Sequence, residues 1–219
     1  ATAGHPADDR EPFEGRNVPY TVSFTPAKDE IDIAIRVSSP IDAGGIVTPL
    51  RFGTEKAVGE RVTLSIAMQL MLCVVLFMHG MYAVVLYLLG AANKALLYFS
   101  MLILCTIVGV LIYDDRLLLS VVPLSFAWTV KITYLSYIGI AVSMALLVRN
   151  QFAAPRANTY LRWFTAFCVL FSLLILVSPY RIALEYRLLP LAIEILSLVY
   201  IVYALGVKLK QNRDMLFLL

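Results

Sequence analysis

No Lys, Arg, Asp or Glu occurs between Val62 and Leu89, where the chain reads VTLSIAMQLMLCVVLFMHGMYAVVLYLL. A helix rises about 1.5 Å per residue, so roughly 20 residues cross a bilayer core of about 30 Å. This run spans a membrane with a turn or two to spare. Charge is scarce throughout: 15% of residues are charged and 60% are hydrophobic, against roughly 25% charged in soluble domains. The net charge of +3 is small and no clustered basic face with stacking aromatics appears, which excludes a nucleic-acid partner. Histidine is limited to His5 and His79. The three cysteines, Cys73, Cys105 and Cys168, each fall inside an apolar run and read as small buried hydrophobes. There is no Walker loop, no Ser–His–Asp order, no metal-spaced His/Cys cluster and no paired-carboxylate site. The expectation is therefore no enzyme, no cofactor and no metal site within these residues.

What is present begins with a polar segment. Residues 1–61 carry seven basic and ten acidic side chains. Residues 1–15 are rich in Pro, Gly, Asp and Glu and read as a loop or frayed terminus, with His5 a solvated loop residue. The period then changes to two. YTVSFT sets Tyr20, Val22 and Phe24 on one face, and IDIAIRV sets Ile31, Ile33, Ile35 and Val37 inward with Asp32 and Arg36 outward. PAKDE (26–30) is turn chemistry between them, and IVTPLRF (46–52) follows as a third strand, with Pro49 favouring an edge or bulge. Three strands are few for a free-standing core. Residues 16–58 therefore predict the C-terminal part of an antiparallel β domain, a partial sandwich. An exported domain needs upstream sequence, and MLFLL at 215–219 reads as the start of a further apolar run, so sequence beyond both ends is expected.

The rest, from residue 59 to 219, predicts an all-α transmembrane bundle. Spans are expected at about 62–89, 95–113, 123–148, 162–177 and 188–207, with a sixth starting near 215. The joining segments are short, which makes sequential spans antiparallel neighbours. One alternate set of loops holds Lys94, Arg149, Arg156, Arg162, Lys208, Lys210 and Arg213; the other holds Arg116, Arg181 and Arg187. The richer set should be cytoplasmic, which places residues 1–61 outside the plasma membrane. Tyr87, Tyr113, Trp128, Trp163 and Tyr180 stand near span ends, as interfacial anchors do.

Four polar residues lie inside spans. Lys131 and Glu194 are the only charged ones well inside, about two turns from the outward ends, and each is costly if it faces lipid alone. They could pair across the bundle, directly or through water; in the other reading Lys131 snorkels to the outer headgroups and Glu194 sits protonated in the bundle or faces a water-filled crevice. Gln69 and His79 are nearly three turns apart on the first span and are expected to share a bundle-facing side. Gly80, Gly109 and Gly139 form no GxxxG pair and read as close-packing points.

The order of parts resembles a known family. DIAIRVSSPIDAGGIVTPLRFGTEKAV is similar to the end of the extracellular domain in bacterial seven-transmembrane receptors with diverse intracellular signalling modules. MHGMYAVVLYLLGAANKALLYFSMLILC resembles that family's first-to-second span junction, WTVKITYLSYIGIAVSMALLV its third span, and YIVYALGVKLKQNRDMLFLL the end of its fifth. Ser39 departs from the Asn expected in the preceding loop. The resemblance implies a jelly-roll-like outer domain that binds a small-molecule ligand, a carbohydrate among the candidates. It also implies a bundle that passes the change to a histidine kinase or cyclase output, as in two-component signalling. A homodimer is a further partner expectation. The competing class is a transporter or permease using Lys131 and Glu194 as coupling groups; a third is a membrane anchor for another protein. No internal repeat and no pair of broken helices supports the transporter.

Overall fold

The structure, a computed structural model, describes residues 21–25, 33, 50–91, 93–113, 115–152, 157–179, 182, 185–186 and 188–216. These residues form a helical bundle: α1 (Glu55–Leu86), α2 (Lys94–Tyr113), a short α3 (Leu117–Val121), α4 (Phe126–Phe152), α5 (Ala157–Val177) and α6 (Leu188–Leu216). Most of the β segment expected over 16–58 lies outside the described residues. Where that segment is described, at 21–25, 33 and 50–58, the backbone is not in a strand, and residues 55–58 already belong to α1. Val22, Phe24 and Ile33, expected to face inward, are 50%, 51% and 59% exposed. A period of two creates an apolar face, but burying it takes a second layer, and none covers it among the described residues. Phe24 and Phe52 do meet, with ring centroids 6.4 Å apart. The stretch at 21–25 thus lies beside the approach to α1.

Local chemistry sets the ends of α1. Thr54 has extended backbone angles and its Oγ1 accepts from the Ala57 N–H at 3.3 Å, while Glu55 lies in the first turn, where a negative charge suits the helix dipole. At the far end the helix widens into a π-turn over Tyr87–Ala91, where Gly90 takes φ 99°. A residue without Cβ adopts that left-handed geometry without strain.

Among the described residues, five helices are long and apolar enough to cross a membrane: Glu55–Gly90, Lys94–Tyr113, Phe126–Gln151, Tyr160–Val177 and Leu188–Leu209. Their outer surfaces are apolar too: Met68, Met71, Val75 and Met78 of α1 are all exposed. In water such a surface would associate; in lipid it is the ordinary exterior. The expected sixth span lies outside the described residues except for Met215 and Leu216, which continue α6.

α4 is the hub. It packs against α2, α5 and α6, whereas α1 packs on α2. The outer helices bury stripes at spacings of three and four: Leu161, Phe164, Cys168, Phe171 and Ile175 on α5, and Ile193, Ser197, Tyr200 and Ala204 on α6. α4 meets them with small side chains, Ala141 and Ala145, the latter completely buried. Small residues let helix backbones approach where there is no hydrophobic drive between spans. Two of the glycines act in the same way. A Cβ built on Gly80 would stand 3.2 Å from Ile103 Cγ2, and one on Gly139 would overlap Cys105 Sγ. Gly109 leaves ordinary room, with Ser136 Cβ at 3.9 Å.

Candidate functional site

Two long polar side chains inside the bundle, Lys131 and Gln69, reach across to carbonyls of neighbouring helices. The last four C=O groups of any helix have no donor within it. Lys131, in the second turn of α4, donates from Nζ to the carbonyl of Leu176, one residue from the end of α5, at 2.8 Å. The same ammonium lies 5.4 Å from the Trp128 ring centroid. A cation is favoured both at a helix C-terminus and over an indole face. Gln69, 5% exposed on α1, donates from Nε2 to the Val110 carbonyl near the end of α2 at 2.6 Å. Two side chains of descending helices thus cap two ascending ones at the same end of the bundle, the end where α1 begins.

Lys131 and Glu194 do not form an ion pair. The register explains this. Ser197 of α6 donates to the Ala141 carbonyl of α4 at 3.0 Å, so these two residues are level. Glu194 is then level with residue 138, which puts Lys131 about 10 Å away along the axis. Equal depth, inferred from where each apolar run starts, does not survive the packing. Glu194 itself is half-buried.

His79 also departs from expectation. It is exposed on the outer surface of α1, with Nδ1 2.7 Å from the Val75 carbonyl of its own helix. Ten residues at 100° each leave His79 about 80° round the helix from Gln69. The packed face of α1 is instead Gln69, Cys73, Gly80 and Ala83.

Sequence reasoning passed over several cross-links. Ser100 Oγ donates to Leu96 O at 2.8 Å and lies 3.3 Å from the Gly80 carbonyl on α1. Asn93 caps α2, its Oδ1 accepting from Ala95 N–H at 3.0 Å and from Asn150 Nδ2 of α4 at 3.0 Å. Asn directly before a helix is a legible start signal; its second bond, to a residue 57 positions away, is not.

Gln69 yields a prediction whose size depends on its other amide atom. Gln69 Oε1 is buried with no hydrogen-bond partner. An unmet buried acceptor costs about 1–3 kcal/mol, while a net hydrogen bond contributes about 0.5–1.5 kcal/mol. Gln69→Met removes the unmet Oε1 but leaves the Val110 carbonyl without this donor, so the two effects offset and the melting midpoint in detergent should change little. A fall of many degrees would mean that Oε1 is satisfied in the membrane.

The arrangement offers hydrogen bonds, close helix contacts and a single continuous hub; among the described residues no group of His, Cys, Asp and Glu gathers in a way that could hold a metal. No curated protein and no solved structure matches the chain. A family model described as 7TM diverse intracellular signalling matches residues 65–219, from within α1 through every later helix. The chain therefore belongs to the 7TM diverse intracellular signalling family.

Proposed function

We propose that this chain is the membrane part of a sensor that carries a change from an extracytoplasmic ligand-binding domain to a cytoplasmic signalling output. The observation that carries the reading is α1. It is one unbroken helix from the N-terminal segment into the bundle, and the bundle is connected in series behind it, α1 to α2 to α4 and then to α5 and α6. Gln69 is level with Val110, so the first turns of α1 project about 15 Å past the end of α2. A displacement at Phe52 or Thr54 thus reaches the hub through the tight Gly80–Ile103 contact. In this reading the ligand is a small molecule such as a carbohydrate, and the output is a kinase or cyclase. Against a transporter stands the engagement of Lys131 by Leu176 rather than by Glu194.

Two measurements test the reading. Phe52→Ala removes the Phe24–Phe52 contact outside the bundle. A coupled sensor should show altered hydrogen-exchange protection along α1 and on into α4; changes confined to residues 50–60 would sink the proposal. The orientation rests on the basic loops. In intact cells a membrane-impermeant thiol reagent should label Glu185→Cys and leave Gln151→Cys unlabelled. The reverse pattern would invert the topology.

A further inference from the structure

The end of the bundle where α4 finishes and α5 begins holds a groove that the signalling role does not use. Its volume is about 500 Å³. Arg149 of α4 and Arg162 of α5 line its rim, while Leu146, Val169, Leu170 and Leu173 line its length. Among the described residues neither guanidinium has a carboxylate within ion-pair distance. From Arg162 to Leu173 the wall runs about 16 Å, close to the thickness of one bilayer leaflet. A cationic rim above an apolar trough of that depth matches one amphiphile: a charged headgroup at the interface and an acyl chain below it.

We propose that this groove binds an anionic phospholipid, its phosphate held between Arg149 and Arg162 and one acyl chain laid along α5. Planar guanidiniums match phosphate oxygens in paired, charge-assisted hydrogen bonds, which a zwitterionic lipid exploits less because its ammonium offsets the attraction. Basic pockets between spans collect anionic headgroups in this way. The lipid also fills a trough between two helices that meet on the hub, so its occupancy bears on how firmly α5 sits against α4.

Native mass spectrometry of the full chain tests this, using detergent supplemented with phosphatidylglycerol or phosphatidylcholine. The unmodified protein should retain phosphatidylglycerol selectively. Arg149→Gln or Arg162→Gln should each weaken retention about five-fold, the effect of one basic residue near an anionic surface, and the double change should abolish it. Ala166→Trp fills the trough without touching either charge and should also abolish it, while Arg149→Lys and Arg162→Lys, which keep the charge and lose the planar fork, should retain more than the Gln variants and less than the unmodified protein. Equal retention of the two lipids, or an unaffected double variant, would overturn the proposal. So would glycerol 3-phosphate raising the melting midpoint as phosphatidylglycerol does, since that marks a free-anion site. Crosslinking of a photoreactive residue at Val169 to protein instead of lipid would overturn it as well, since the groove is then a helix-docking surface.

Discussion

Gly139→Ala should lower the melting midpoint of the bundle, and adding Cys105→Ala should restore it. In an open helix interior, Gly→Ala stabilises by about 0.5–1 kcal/mol because the glycine backbone loses more freedom on folding. At this position the new Cβ would overlap Cys105 Sγ across the α2–α4 interface. Overpacking of a close contact costs about 1–3 kcal/mol, so the steric effect wins and the net sign is a loss. The relief available nearby is rotation of the Cys105 side chain in a helix, where few rotamers are open. Truncating Cys105 removes the overlapping atom; its Cβ would then lie 3.4 Å from the new methyl, an ordinary contact. In that background Gly139→Ala should be neutral or stabilising. A thermal double-mutant cycle in detergent reads the coupling. If Gly139→Ala alone raises the midpoint, α2 and α4 are further apart than the structure places them.

Lys131→Met should destabilise the bundle by about 1–2 kcal/mol, toward the low end for a charge-assisted hydrogen bond because the lysine is only half-buried. Methionine keeps the chain length and loses the donor, leaving the Leu176 carbonyl at the end of α5 without it. The loss should combine additively with that of Glu194→Gln, within about 0.5 kcal/mol, because the two groups share no partner. It should not combine additively with Trp128→Ala, whose ring lies under the same ammonium. Recovery of stability in the Lys131→Met, Glu194→Gln double variant would show that the two charges meet in the membrane after all.

Both variants sit on the hub helix but probe different contacts. Gly139→Ala tests how closely α4 approaches α2. Lys131→Met tests how a charge is accommodated inside a span: by a carbonyl that its own helix leaves without a donor, not by an opposite charge. Both contacts join residues far apart in the chain, 34 and 45 positions respectively.

Much of the architecture is legible from residue order. Uncharged runs of about 20 residues can satisfy their backbone groups in lipid only as helices, so the membrane bundle follows from Val62–Leu89 and its successors without any knowledge of contacts. Short joining segments make neighbours antiparallel, and Thr54 and Asn93 mark helix starts by chemistry local to one turn. Gly80 and Gly139 stand at close approaches between spans, whereas a Cβ on Gly206 would meet nothing within 4 Å, so a glycine in a span does not by itself mark a contact. Register and azimuth are not legible in this way. An apolar run says that a helix crosses, but its lipid-facing side is as apolar as its packed side, so no amphipathic stripe points inward. For that reason residue order suggests a bundle-facing His79, which lies outside, and a level Lys131 and Glu194, which are offset. The tertiary structure decided those matters through a few specific contacts, Ser197 to Ala141, Lys131 to Leu176 and Gln69 to Val110. Sequence alone determined that this chain spans a membrane, because transfer of side chains and backbone into lipid depends on composition over one helix length. Only the packed helices determined which polar groups meet, because a hydrogen bond depends on distances of a few tenths of an ångström between separate helices.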